Sequence, residues 1–484
     1  MNLADIKGTR ALVMGLGALG GGVATAKWLV KHGAKVTVTD LRTRNELAPS
    51  MKALGEEAKK ITFVLGRHRT RDFQTSDLVV VNPAVRREST FLKVARRAKK
   101  ETTNDARIFF DLSPNPTVAV TGTRGKTTTA NWIAHFLRAN DRAVFAAGNT
   151  PERPLMQDLD RLIRRPEIPA VLELSSWQLE FLPEARRAPD VAVITNLYRD
   201  HLNRYRTMDD YARAKANIFK NQLPSQTLIL NAENAWTRFF MKEGPRARTY
   251  FFSTKPLANH TQGISLRSSG VFFSEASEST RVASRVFVQK FVHAWGSHNL
   301  ENLFAAILTA HLAGVPWRNI LARVNTLPGI PYRQEIVIRR KNLTVVNDSG
   351  STSPDAAIAA LRRFGGTHTH FITGGTDKKL EFRELALVMK KTIGPEHTYF
   401  LNGSATKKLL VELQKTGYFK KSTPQISENL SDLLRTIGNQ LKTNNYQLKT
   451  TILFSPGAAS FEKFKNEFDR GNRFTREARR VLTR

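Results

Sequence analysis

Residues 121–128 read Thr121-Gly122-Thr123-Arg124-Gly125-Lys126-Thr127-Thr128, an order of glycine, lysine and hydroxyl that suits a phosphate chain. In a loop that leaves a strand and opens a helix, amide N–H groups and the Lys126 ammonium can hold the β- and γ-phosphates of a nucleoside triphosphate, and the Thr127 hydroxyl can ligate Mg2+. The strict pattern needs glycine where this chain has Val120, so the match is to the Gly-Lys-Thr half with a modified approach. ATP binding is what these residues support most directly. Upstream, Gly15-Leu16-Gly17-Ala18-Leu19-Gly20 fits G-x-G-x-x-G, with Asp40 ending the next strand pattern. Glycines so spaced let the backbone approach a pyrophosphate at a helix N-terminus, while the carboxylate can bond a ribose or base. Alone, that segment reads as nicotinamide or flavin binding, or as a tight strand-to-helix turn without a ligand.

Five further side chains have a chemical or a plainer reading beside these loops. Glu173 ends an apolar strand after the Lys126 helix, where a carboxylate can join Thr127 in holding a magnesium ion that bridges phosphates; the plainer reading is a surface carboxylate. Asp200-His201 closes the loop after another strand, which brings His201 to the same sheet edge, although a lone histidine is usually structural. Lys215 sits one helical turn after Tyr211, and by residue type alone it reads as a solvated helical lysine. Asn299 and Asn302 open an alanine-rich helical stretch; their amides can pair with an adenine edge, and Asn299 can equally cap the helix.

The elements that must position these groups follow from periodicity. Residues 11–17, 18–32 and 35–40 predict a strand, a helix and a parallel strand, and 77–81 a further buried strand stopped by Asn82-Pro83. Ser113-Pro114-Asn115-Pro116 punctuates the chain, and 117–120, 170–174, 191–195 and 227–230 predict the strands of a second α/β series. The cluster Leu327-Pro328-Gly329-Ile330-Pro331 marks another boundary, followed by strand patterns at 334–338, 344–347, 369–373 and 450–454. Residues 257–284 are polar and read as hairpins or loop. The expected class is α/β in three domains, residues 1–113, 114–328 and 329–484.

Composition sets the outer limits. At about 150 residues per domain, 484 residues suggest roughly three domains. Hydrophobic residues at 41% and charged residues at 24% are ordinary globular values and argue against wholesale disorder. With no cysteine there is no disulfide, thiolate zinc site or cysteine nucleophile. No apolar run reaches the roughly 18 residues that cross a bilayer, and residues 1–5 open no signal-like segment. A soluble, cytoplasmic protein without membrane insertion is the expectation. The balance of 75 Lys+Arg against 42 Asp+Glu, a formal charge of +33, attracts nucleotides, nucleic acid or anionic lipid alike. These cations run along the whole chain, denser at 86–100 and 470–484, whereas a nucleic-acid arm would form one block. No specific nucleic acid is therefore expected.

Taken in order, the motifs at 15–20, 121–128, 148–149, 172–180, 196–205, 211–215, 298–302, 331–333, 347–349, 374–378 and 455–471 resemble those of the Mur ligases, the ATP-dependent amide-forming enzymes of peptidoglycan precursor synthesis. The resemblance runs from end to end and points to the branch that adds D-glutamate to UDP-N-acetylmuramoyl-L-alanine. It implies an N-terminal Rossmann-like domain, a central P-loop ATPase-like domain with a mostly parallel sheet, and a C-terminal Rossmann-like domain, in a monomer. Gly15, Leu16, Gly17 and Ala18 would then hold a UDP diphosphate, with Asp40 and Arg42 near uracil or ribose. Asn149 and His201 would lie near the muramyl carboxylate, and His201 would help to bind a second magnesium.

The resemblance also implies that Lys215 is carbamylated by CO2 to a metal-binding anion, as a lysine that loses its proton through burial can be. Gly122 to Thr128, Asn299, Asn302, Arg333 and Asp348 would bind ATP; Lys378 and Ser460 would bind the carboxylates of the incoming amino acid. Phe464 and Phe468 are expected to pack their helix. Gly350 stands where relatives can carry lysine, which leaves amino-acid choice less determined than ATP binding. The rivals are a Mur-type ligase for another amino acid, a folylpolyglutamate synthase, which lacks the first glycine-loop domain, and a basic nucleic-acid-binding protein, which leaves the phosphate loop without a role.

Overall fold

The computed structural model describes residues 1–17, 20–139, 142–148, 153–202, 204–276, 278–420, 422–443 and 448–482. Their strands form three sheets. The first joins β1 (Arg10–Met14), β2 (Lys35–Asp40), β3 (Ile61–Leu65), β4 (Leu78–Val81) and β5 (Glu101–Thr103), all parallel, in the order β3-β2-β1-β4-β5. All four residues of β4 are buried, as a Leu-Val-Val-Val run must be when helices cover both faces of a parallel sheet. Strand order reverses between β1 and β4, and at such a switch point the loops part to leave a crevice.

The second sheet contains β6 (Thr117–Thr121), β7 (Phe145–Gly148), β8 (Ala170–Glu173), β9 (Val191–Ile194), β10 (Thr227–Asn231), β11 (Arg248–Ser253), β12 (Gly263–Arg267), β13 (Gly270–Glu275) and β14 (Glu278–Ser284). Its order is β14-β13-β12-β11-β10-β9-β6-β8-β7, parallel except where β12, β13 and β14 pair antiparallel. The segment expected as hairpins or loop is therefore this antiparallel extension; the first four residues of β14 are exposed, which is why its pattern looked polar. The third sheet has β15 (Glu335–Arg339), β16 (Leu343–Asn347), β17 (Thr369–Thr373), β18 (Thr398–Leu401), β19 (Gln425–Ser427) and β20 (Thr450–Phe454), in the order β15-β16-β20-β17-β18-β19, with only β15 antiparallel.

The chain packs into two compact units, Met1–Lys290 with Asn299–Pro328, and Phe291–His298 with Gly329–Arg484. In the first, one apolar core runs from Val13, Leu16 and Trp28 of the first sheet layer to Leu172, Ile194 and Leu197 of the second. Helix Asp105–Leu112 lies in that core through Phe109 and Phe110; Asn104 caps it by accepting from Arg107 N at 2.9 Å, and the chain leaves it at Ser113 before the two prolines. In the second unit, separate apolar clusters cover the third sheet, one around Phe371, Leu385 and Phe400 and the other around Tyr399, Ile437 and Phe474. Among the described residues no helix is long and apolar enough to cross a membrane.

Candidate active site

The loop from Gly122 to Gly125 joins β6 to helix Lys126–Leu137, as its glycines require. Gly122 (φ 151°) and Gly125 (φ 78°) adopt conformations closed to most side chains, and a Cβ would fall 1.9 Å from Thr195 Oγ1 at the first and 2.1 Å from Asn302 Oδ1 at the second. The neighbouring loop after β9 braces the backbone. Thr195 Oγ1 donates to Arg124 O at 2.6 Å, Arg124 N donates to Asn196 Oδ1 at 2.9 Å, and Thr123 N donates to Asn196 O at 3.0 Å. Lys126 folds back, donating to Gly122 O at 3.1 Å and Thr123 O at 3.2 Å, so its ammonium lies over the loop that would receive phosphates. Thr127 and Thr128 are half-buried in the first turn of the helix. Asn302 Oδ1 accepts from Thr129 Oγ1 at 3.3 Å and its amide nitrogen donates to Asn299 Oδ1 at 2.9 Å, which sets both asparagines against the phosphate-loop helix.

Glu173, His201 and Lys215 belong to this same sheet edge. Glu173 is the buried last residue of β8, beside Val120 at the end of β6. Lys215 is wholly buried on helix Met208–Ala216; its Nζ donates to Gly122 O at 2.8 Å and to Thr121 Oγ1 at 3.4 Å, and lies 4.8 Å from the centre of the Tyr211 ring. Burial first, then the Lys126 cation, push its pKa well below the usual 10.5, against the pull of Asp200 and Glu173. The solvated-lysine reading fails here because the helix turns this position inward. His201 has φ 55°, a left-handed backbone held by bonds from Arg204 N (2.9 Å) and Tyr205 N (3.0 Å) to its carbonyl. Its ring stands 5.5 Å from both Trp177 and Tyr211.

These residues offer hydroxyl and carboxylate oxygens, the hard donors that Mg2+ takes. Among the described residues no group of three or more His, Cys, Asp or Glu could hold a metal by itself. Thr127 and Glu173 each carry an oxygen of the kind that Mg2+ takes together with phosphate oxygens and water.

At the crevice of the first sheet, Gly15, Gly17 and Gly20 all have positive φ, of 91°, 71° and 81°. Asn82 explains the first two: a Cβ would meet its side chain at 2.9 Å on Gly15 and 2.8 Å on Gly17. Asp40 turns into the loop, where its Oδ2 accepts from Leu16 N at 3.0 Å and Gly17 N at 3.5 Å, and its carboxylate binds the Arg42 guanidinium at 3.1 Å. Burial opposes ionisation, but Arg42 and the Gly17 amide hold the carboxyl below its usual 3.8. Asp40 thus shapes the glycine loop as well as facing its mouth. Ala18 and Asn149 lie outside the described residues.

In the second unit the remaining candidates also follow strand ends. Asp348, just after β16, is buried; its carboxylate accepts from Ser455 Oγ at 2.7 Å and Gln334 N at 3.0 Å, and burial raises its pKa to about 7 against those bonds and Arg333. Arg333 donates to Gly350 O, and a Cβ on Gly350 would lie 2.7 Å from the guanidinium, so the missing side chain leaves that face to Arg333. Ser460 is buried with no partner for its Oγ, while Lys378 is exposed. Gly375, Thr376, Glu462, Lys463 and Arg470 line a tight notch beside Ser460 that is too narrow to hold a water molecule. Phe464 and Phe468 are half-buried, the first packed on the apolar cluster of Tyr399 and Phe474 and the second edge-on to Tyr332 at 5.7 Å.

Several contributors escaped the sequence reading. Asn82 and Thr195 had only their place at a strand end as a signal, and Asn196 also opened the motif at 196–205. Asp105 reaches the wall of the first-sheet crevice from a helix start; burial raises its pKa to about 6 against the bond from Gln178 Nε2 at 3.1 Å.

Comparison with known proteins gives the family and the fold. Residues 9–104 match the Mur ligase MurD-like N-terminal domain and residues 120–310 the Mur ligase middle domain. The chain is 36% identical to the UDP-N-acetylmuramoylalanine–D-glutamate ligase of Roseiflexus sp. and 33% identical to that of Borreliella afzelii, in each case over 98% of both chains. The ligase of that name from Treponema pallidum is 30% identical over 99% of both. Among solved structures, MurF ligase from Thermotoga maritima in complex with ADP is 18% identical with a TM-score of 0.54, over 100% of this chain and 97% of that one. A MurF structure from Acinetobacter baumannii is 16% identical with a TM-score of 0.53, over 93% and 86%. These likenesses show the fold, a three-sheet α/β architecture with mostly parallel strands.

Proposed function

Because the chain belongs to the UDP-N-acetylmuramoylalanine–D-glutamate ligase family, we propose that it joins D-glutamate to UDP-N-acetylmuramoyl-L-alanine at the expense of ATP, in peptidoglycan precursor synthesis. The observation that carries this reading is the meeting, at one sheet edge, of the Lys126 loop, the buried Glu173 and the buried Lys215.

Lys126 and the loop amides orient the triphosphate so that the L-alanyl carboxylate attacks the γ-phosphorus in line; ADP leaves and an acyl phosphate forms. The amine of D-glutamate then attacks the carbonyl carbon, loses a proton, and phosphate departs as the amide forms. Magnesium, when bound by Thr127 and Glu173, neutralises phosphate charge. Lys215 is poised for carbamylation because burial favours the neutral amine, and its modified form, with His201, would supply donors for a second ion. We assign the first-sheet loop Gly15, Leu16, Gly17 and Ala18, with Asp40, Arg42 and Asn149, to the UDP-linked substrate. Arg333 and Asp348 are assigned to ATP, and Lys378 and Ser460 to D-glutamate. The orphaned Ser460 hydroxyl supports the last of these, since a buried Oγ without a partner is ready for a ligand oxygen. Domain limits at 113 and 328, a monomer and a cytoplasmic location belong to the same proposal.

The test is a screen of amino acids with the purified chain, ATP and UDP-N-acetylmuramoyl-L-alanine. ADP and phosphate release that requires D-glutamate is expected. Release that requires no amino acid, or a different one, overturns the substrate assignment.

A further inference from the structure

Between the two sheets of the first unit lies a partly buried ion pair that the chemistry above does not use. The Arg204 side chain is 7% exposed and that of Glu180 12%. Arg204 Nε and Nη2 donate to the two Glu180 carboxylate oxygens at 3.0 and 2.9 Å, and Tyr205 OH donates to the same carboxylate at 2.8 Å. The guanidinium still has donors to spare, and they cross to the other sheet: Nη1 donates to Ala84 O at 3.2 Å and Nη2 to Val85 O at 3.0 Å. A planar fork that serves a carboxylate and two carbonyls is a demand that lysine cannot meet.

What the pair joins is specific. Ala84 and Val85 follow Asn82, whose side chain packs on Gly15 and Gly17, so one end of the linkage rests on the loop assigned to the UDP diphosphate. At the other end Arg204 lies in the turn that carries His201: its own amide donates to His201 O, and its guanidinium stacks 4.8 Å from the Trp177 ring, whose far neighbour is the His201 ring. Resting on the function proposed above, we infer that Arg204, clamped by Glu180, is a positioning residue that sets the distance between the UDP loop and the His201 loop, so that one substrate reaches both. Two half-sites at a fixed spacing act on a linked ligand as a high effective concentration, and a ligand that fills one half gains nothing from the spacing.

That distinction gives the test. The double variant Arg204→Met with Glu180→Gln removes both charges together, so no unpaired ion stays buried. Calorimetric affinities for UDP and for UDP-N-acetylmuramoyl-L-alanine are measured on it, on Arg204→Lys and on the parent chain. UDP affinity is expected to stay within about twofold while affinity for the whole substrate falls about tenfold or more, with KM for ATP unchanged. Arg204→Lys, which keeps the charge, is expected to show the same split to a smaller degree, and it decides the matter if the double variant does not fold. Equal losses for UDP and for whole substrate, or no loss for either, overturn the inference while leaving the ligase reading intact. A parent chain that binds no UDP overturns both.

Discussion

Lys215 is the residue at which physical chemistry and function pull hardest against each other. Its amine is buried and its pKa is driven far below 10.5, so between those values the unfolded chain holds a proton that the folded chain lacks. Stability contributed at this position therefore falls as pH falls from 10.5 toward the depressed value. Lys215→Met, which fills the space without an ionisable group, should melt at a higher temperature than the parent at pH 7, with the gap closing as pH rises toward 10, and should show no turnover; scanning calorimetry across pH checks the first and phosphate release the second. On the proposed carbamylation, Lys215→Ala should regain activity only with an added small carboxylic acid, which would stand in for the carbamate. Lys126→Ala should abolish phosphate release that depends on the other substrates, since the ammonium has no substitute over the loop.

At the level of elements, conformation is set by glycines whose absent side chains are filled by neighbours. Gly125→Ala should cost about 1–2 kcal/mol for its left-handed backbone, and more for the approach to Asn302. It should lower the melting temperature and weaken ATP binding far more than UDP binding, as paired titrations of the two nucleotides would show. The strands that carry these loops were readable where apolar runs were long: 35–40, 369–373 and 450–454 match β2, β17 and β20 residue for residue. Phe145–Gly148 and Glu101–Thr103 were missed because three or four residues without a strong pattern become strands only through their partners. Candidate positions were named for a related reason, since ligand loops leave parallel sheets at strand ends. The inward turn of Asp40 and the reach of Arg204 to Ala84 were not legible, for spacing along a chain says nothing of contacts between residues 24 or 120 apart.

For the whole molecule, two opposed sets of buried groups shape the response to acid. His370, bonded to Tyr399 OH at 2.9 Å, is held down to about 4 by burial and then by His397, so the unfolded chain takes up its proton first and stability is lost as pH falls from about 6.5 to 4. Asp348, raised to about 7, acts the other way: the stability it contributes is present in acid and is lost as pH rises through 7. His370→Asn should accordingly flatten the acid limb of a melting-temperature profile and leave the neutral region unchanged. The charge of +33 should draw duplex DNA weakly at low salt, with binding fading by physiological salt while ATP turnover persists; tight salt-resistant binding without turnover would favour a nucleic-acid protein instead.

The central claim is that the Lys126 loop presents a phosphoryl group to a carboxylate, and isotope transfer reports on that step alone. With oxygen-18 in the L-alanyl carboxyl of the UDP-linked substrate, turnover should deliver one labelled oxygen into each inorganic phosphate released, because the acyl phosphate breaks at its carbonyl carbon. Phosphate that emerges unlabelled while amide accumulates would contradict the account.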